Sequence, residues 1–214
     1  MKVAIFGATG SIGSRIVAEA RSRGIEVTAV VRSAERAATL PAGVEWVVAD
    51  VGDVAGVAAA VAGQDAVISA VGGGDADSGP AAPAAARTLP AALAQAGVFR
   101  LLVVGGAGSL RNADGVELVE TPSFPAAWKP ASLPQREALA IYRAYTGPVR
   151  WTYLSPADVI EPGERTGRFT LGGDEVVVDA AGESRISIED YAVALVDELE
   201  KGEFVNRRFT LAYT

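Results

Sequence analysis

Gly7, Gly10 and Gly13 stand three apart in the stretch IFGATGSIGSRI, after an apolar run and before a helix-like pattern. A strand, then Gly-x-x-Gly-x-x-Gly, then a helix brings backbone N–H groups and a helix N-terminus against a pyrophosphate. Gly7 allows a sharp exit from the strand, Gly10 lets the backbone approach the phosphates, and Gly13 lets the helix pack close to the sheet. Thr9 and Ser11 add hydroxyl donors, and with Ile12 they complete the candidate cofactor-binding turn. Three glycines in a tight turn are weak evidence alone. Here a strand before, a helix after and a second strand at the proper distance favour a dinucleotide over a bare turn.

The second strand ends at Arg32-Ser33, where an NAD-binding chain would carry an acidic residue for the ribose 2′-OH. Arg cannot accept those hydroxyl hydrogen bonds, but its fork suits a 2′-phosphate. NADP(H) is therefore expected over NAD(H), with a solvated surface Arg as the alternative. Asp50 and Val51 close the third strand and would lie beside the adenine; Asp50 could equally cap a helix. The chain has no His, which removes the side chain most often used for proton transfer near neutral pH.

These residues need a sheet to position them. VAIF (Val3 to Phe6), VTAVV (Val27 to Val31), VEWVVA (Val44 to Ala49), AVISAV (Ala66 to Val71) and RLLVVG (Arg100 to Gly105) are short apolar runs. They read as parallel strands covered on both faces. Between them lie SRIVAEARSRG and the Ala-rich VAGVAAAVAGQ and AAARTLPAALAQAG, crossover helices ending in Gly, the last holding Pro90, which should kink or shorten it. The alternation predicts an α/β fold, a doubly wound, mostly parallel Rossmann-like sheet, as a single domain over 1–214.

The second half is less regular. A Pro-rich loop from Thr121 to Pro134 precedes a helix pattern from Gln135 to Tyr145 and a sixth strand, VRWTYLS. RFTL and EVVVD around Gly172-Gly173 suggest a hairpin. SIEDYAVALVDELEKG reads as a helix with a Ser187/Asp190 capping box and a stop at Gly202, and RRFTLAYT as a closing strand. The low-complexity VGGGDADSGPAAPAAA suggests a flexible loop near a site, and loops at about 110–134 and 156–186 would form a small substrate region.

A formal net charge of −7 and no basic run beyond Arg207-Arg208 argue against nucleic acid. Zero Cys excludes disulfides and thiolate sites, and no metal site is expected. The N-terminus lacks a signal-peptide pattern, no apolar stretch is long enough to span a membrane, and cytoplasm is the simplest reading. Abundant Ala and an excess of Arg over Lys hint at a GC-rich bacterial genome. Monomer or homodimer is the expected state.

With GATGSIG, VVGGAGSL, WTYLSPADVI and ESRISIEDYAVALVDELE, the chain resembles the atypical short-chain dehydrogenase/reductases over essentially its whole length. It is most similar to the NmrA-like, NAD(P)H-binding group described as NADH-flavin reductases. The resemblance implies that Gly7 to Gly13 hold the pyrophosphate, Arg32 the 2′-phosphate and Val71-Gly72 the ribose side. It also implies that Ser109 and Ser155-Pro156 flank the nicotinamide.

The Tyr-x-x-x-Lys pair of conventional members is missing: Tyr142, Tyr145, Tyr153 and Tyr191 are followed four residues later by Thr146, Val149, Ala157 and Leu195. Hydride transfer to a flavin or quinone fits such a site, because the reduced acceptor can draw its proton from water or a weak donor. Ser109, Lys129 and Tyr153 are the candidate catalytic residues. Phe124, Trp128 and Lys129 could fold over a flat anionic acceptor, or the aromatics could simply anchor their loop. Two other readings remain open: an NADP(H)-binding redox sensor without turnover, and a reductase or epimerase of a specialised metabolite.

Overall fold

The computed structural model describes residues 1–72 and 81–214. In chain order it contains β1 (Lys2–Phe6), α1 (Ser11–Ser22), β2 (Glu26–Val31), α2 (Ala34–Ala37), β3 (Glu45–Val48), α3 (Val54–Ala60), β4 (Ala66–Ser69), α4 (Ala81–Ala96) and β5 (Arg100–Val104). Then follow α5 (Lys129–Ala144), β6 (Arg150–Ser155), β7 (Val159–Glu161), β8 (Thr170–Gly172), β9 (Arg185–Ser187), α6 (Ile188–Lys201) and β10 (Arg207–Ala212). The main sheet runs β3-β2-β1-β4-β5-β6-β10-β8, parallel throughout except for the antiparallel β10–β8 edge. The expected doubly wound, mostly parallel architecture is the observed one.

One face packs on α1 and α6 through Ile5, Ile16, Val17, Leu195 and Phe209. The other packs on α3, α4 and α5 through Val57, Leu89, Leu93, Leu139 and Tyr142. β4 and β5 lie mid-sheet and are wholly buried, as their continuous apolar runs require. β3 departs from that expectation: it is an edge strand whose Val47 packs on the core while Trp46 and Val48, on the other face, are about half exposed.

Other boundaries shift for physical reasons. α1 begins at Ser11, directly on the glycine turn, rather than at Ser14. α5 begins at Lys129, absorbing the end of the Pro-rich segment, because Pro130 occupies the first turn, where the missing N–H costs nothing. α4 runs through Pro90 without ending. Of the low-complexity stretch, 73–80 fall outside the described residues, and Ala81–Ala86 are the first turns of α4.

The hairpin expected at Gly172-Gly173 does not form. β8 pairs with β10, while the chain after it bonds Arg111, whose N–H donates to the Asp174 carbonyl and whose carbonyl accepts from Val176. The capping box is half made: Ser187 Oγ accepts from the Asp190 N–H at 3.0 Å. The Asp190 carboxylate turns instead to Thr166 Oγ1, the Gly167 N–H and the Tyr213 hydroxyl at 2.6, 2.7 and 2.8 Å. Gly202 stops α6 in the left-handed conformation, as expected.

Candidate functional site

The strand order reverses between β1 and β4, the switch point outside whose carboxyl ends open α/β sheets bind ligands. The glycine turn lies there. Gly7 has a positive φ of 74°, and a Cβ on it would stand 2.5 Å from the Ala70 carbonyl oxygen. A Cβ on Gly13 would stand 2.0 Å from the Gly7 oxygen, so only glycine lets α1 start this close to β1. The Gly10 N–H donates to the Gly7 oxygen at 3.0 Å, and Gly10 caps α1 with no side-chain hydrogen bond. The helix therefore presents its first N–H groups without a carboxylate or hydroxyl cap, a cradle suited to a phosphate. Thr9 is half-buried, Gly10 and Ser11 are exposed, and Ile12 packs against the core.

Arg32 follows β2 and is exposed. Asp50 follows β3, but it does not cap the next helix: its Oδ1 accepts from the Gly52 N–H at 2.8 Å. Asp53 caps α3, accepting from the Ala55 N–H at 3.0 Å. Val51 and Val71 are half-buried and Gly72 is exposed at the ends of β3 and β4.

Beyond β5 and β6 the structure is more closed than the sequence suggests. Tyr153 is completely buried, with its hydroxyl 2.9 Å from both the carbonyl oxygen and Oε1 of Gln135. Burial pushes the phenol well above its usual range, against smaller opposing effects of the Gly106 N–H and the Arg208 charge. Tyr153 thus has neither the access nor the acidity of a proton donor, contrary to its expected catalytic role. Gly105 is glycine for the same reason: a Cβ there would meet the Tyr153 ring at 2.0 Å.

Ser109 is nearly buried and Ser155 fully so. Both face Arg208, whose Nη1 lies 3.4 Å from each hydroxyl oxygen, while its Nη2 donates to the Ser109 carbonyl at 3.3 Å. Arg208 in turn donates through Nε to Asp174 Oδ1 at 2.7 Å. Burial works to raise the Asp174 carboxyl, but its hydrogen bond to Arg208 and the charges of Arg208, Arg143 and Arg111 hold it below its ordinary value. Ser155 and Pro156 therefore form the floor under the strand ends rather than an open rim. A cavity of about 550 Å³ is lined by Arg208 together with Arg143, Trp151, Asp174 and Arg207.

Lys129 is half-buried at the start of α5. Phe124 is buried and meets Trp128 edge-on, centroids 6.2 Å apart, while Trp128 is 45% exposed. Phe124 is the anchor of its segment and Trp128 the free aromatic face. The 156–186 loop folds back on α1: Arg165 reaches Glu19, about two turns down the helix, with 2.8 Å contacts from Nε and Nη2. Sequence reasoning missed Arg208 and Gln135, which carry no motif, and also Asp158, an exposed acid three residues past Ser155 whose carboxyl desolvation raises. Among the described residues no cluster of metal-ligating side chains occurs, and no helix is long and apolar enough to cross a membrane.

A family model described as NAD(P)H-binding matches residues 7–199. Three solved structures are similar over nearly the whole length. A Burkholderia pseudomallei protein named as a candidate exported protein is 46% identical, with a TM-score of 0.89 and 100% of both chains covered. A candidate epimerase from Bacteroides thetaiotaomicron is 38% identical, with a TM-score of 0.89, covering 99% of this chain and 96% of that one. A candidate NADH-flavin reductase from Streptococcus pneumoniae is 36% identical, with a TM-score of 0.85 and 100% of both chains covered. With the glycine turn at the switch point and the Tyr-x-x-x-Lys pair absent, the chain belongs to the NAD(P)H-binding, NmrA-like group of atypical short-chain dehydrogenase/reductases.

Proposed function

We propose that this protein is an NADPH-dependent oxidoreductase that passes a hydride to a flat acceptor such as a flavin or a quinone. The observation that carries the reading is the sealed Tyr153: this β6 tyrosine is buried, hydrogen-bonded to Gln135 and made less acidic by burial, in a chain without His. An alcohol-forming or epimerising reaction needs an enzymic acid–base at the reacting carbon. A flavin or quinone does not, because its reduced form takes a proton from water. The resemblance to the S. pneumoniae protein supports this choice, and the epimerase-named relative marks the competing chemistry.

When bound, the reduced nicotinamide supplies the hydride. The chain's part is to bind, orient and exclude water. Gly7, Thr9, Gly10, Ser11, Ile12 and Gly13 hold the pyrophosphate, Arg32 the 2′-phosphate, Asp50 and Val51 the adenine side, and Val71 and Gly72 the ribose side. Ser109, backed by the Arg208 charge, orients the carboxamide or the acceptor from the end of β5, over a floor of Ser155 and Pro156. Lys129, at the start of α5, and the partly exposed Trp128 beside it would meet a flat anionic acceptor.

The test follows loss of the reduced nicotinamide's absorbance with FMN, then a quinone, using NADPH and NADH and an Arg32→Ala variant. The expected result is acceptor-dependent NADPH consumption, with affinity for NADPH but not NADH falling about tenfold or more in the variant. Saturable NADPH binding with no turnover on either acceptor would overturn the reductase reading in favour of a redox sensor. An unchanged NADPH affinity in the variant would overturn the 2′-phosphate role.

A further inference from the structure

We propose that Gln135 is a cofactor-binding residue, its side-chain amide donating to a hydroxyl of the ribose in the nicotinamide half of the dinucleotide, with Tyr153 as the positioning residue behind it. The assignment rests on the dinucleotide reading above.

Gln135 is a polar side chain on α5 that is only 9% exposed, wedged between the carboxyl ends of β4 and β5. Two glycines make room for it. A Cβ on Gly72 would stand 2.7 Å from Gln135 Nε2, and a Cβ on Gly106 would stand 2.9 Å from Gln135 Cβ. Neither glycine has the left-handed φ that would by itself require glycine, so the space for Gln135 accounts for both.

The amide is also oriented. The Tyr153 hydroxyl lies 2.9 Å from both Oε1 and the main-chain carbonyl oxygen of Gln135, so the phenol proton points at Gln135. With its oxygen turned inward to that donor, the amide carries its nitrogen outward beside Gly72. Nε2 can only donate, so its ligand must offer an acceptor oxygen.

Position names the oxygen. In a doubly wound sheet the two mononucleotide halves lie on opposite sides of the switch point, and the pyrophosphate lies at the first turn. Gly7 packs on Ala70, and Gly72 is two residues further on, on the β4–β6 side. The group joined directly to the pyrophosphate on that side is the ribose of the nicotinamide nucleotide.

The test compares two probes: whichever of NADPH or NADH wild type binds more tightly, and its adenosine fragment, 2′,5′-ADP or ADP, which lacks that ribose. Affinities are measured for wild type, Gln135→Leu, Tyr153→Phe and the double variant, with thermal unfolding to confirm folded protein. Gln135→Leu should weaken the dinucleotide about tenfold and leave the fragment within about twofold. Tyr153→Phe should weaken the dinucleotide about threefold, and the double variant should be no worse than Gln135→Leu, because Tyr153 acts only through Gln135. Unchanged dinucleotide affinity in Gln135→Leu, or equal loss for both probes, would overturn the assignment. Wild type binding neither probe would overturn the dinucleotide reading itself.

Discussion

The two halves of the sheet hold their strand ends by different means. Around β1 and β4 the surface is backbone: the turn of Gly7, Gly10 and Gly13 leads into an α1 N-terminus without a side-chain cap, and its tightness is set by main-chain contacts among these glycines and with Ala70. Around β5, β6 and β10 the surface is side chain: Arg208 reaches Ser109 and Ser155, 99 and 53 positions away, and Asp174 closes the set from beyond β8. A backbone site tolerates no added atoms, whereas a side-chain site tolerates no missing charge. The first fails by collision and the second by leaving a polar group without its partner.

Five substitutions sharpen that contrast, in order of falling effect. Gly13→Val forces a side chain into the Gly7 carbonyl and should abolish detectable cofactor binding while costing about 3 kcal/mol of stability, read by titration and denaturant unfolding. Asp174→Ala leaves Arg208 buried without its carboxylate and should cost about 2–3 kcal/mol, more than Arg208→Met, which removes the buried charge itself. Equal costs for these two would erase the distinction between the halves.

Glu19→Gln tests the clasp between α1 and the 156–186 segment. Hydrogen bonding to Arg165 holds the Glu19 carboxyl below its ordinary value of 4.5, with Arg23 assisting against a desolvation penalty. A depressed carboxylate stabilises the fold above its unfolded value and loses that contribution as pH falls through the folded value. The variant should therefore cost about 1–2 kcal/mol at neutral pH, discounted because Arg165 is 55% exposed, and nothing in strong acid. Trp128→Ala should cost the least stability, about 0.5 kcal/mol, its ring being nearly half exposed and meeting only the edge of Phe124, and the larger effect should appear in acceptor affinity.

The same contrast explains what could be read from the sequence. Buried parallel strands announce themselves as continuous apolar runs, and β1, β4, β5 and β6 stand where Val3, Ala66, Arg100 and Val149 begin such runs, within a residue. The glycine spacing and its switch-point location are likewise local. The edge position of β3 is not legible, because an apolar run does not reveal whether both its faces will be covered, and α2, the helix preceding it, is only four residues long. The hairpin failed because strand pairing after Gly173 is decided by Arg111, more than sixty positions earlier. Arg207-Arg208 read as a basic pair, yet Arg207 lies over the Phe204 ring at the surface while Arg208 is sunk beneath Ser109. Alternation along a strand separates their fates, but only the partner from beyond β8 makes the buried one tolerable. Tyr153 was legible as a tyrosine near the site, and its sealing by Gln135 was not, because nothing local to either residue pairs them.

The central claim is that reduction at this site proceeds without an enzymic proton donor. Its most direct test is the turnover rate with FMN at saturating NADPH, followed over roughly pH 6 to 9 for wild type, Tyr153→Phe and Asp158→Asn. A nearly flat profile and rates within about threefold of wild type are expected in both variants. A profile governed by a single ionisation, together with a loss of about a hundredfold in either variant, would contradict it and name the missing acid.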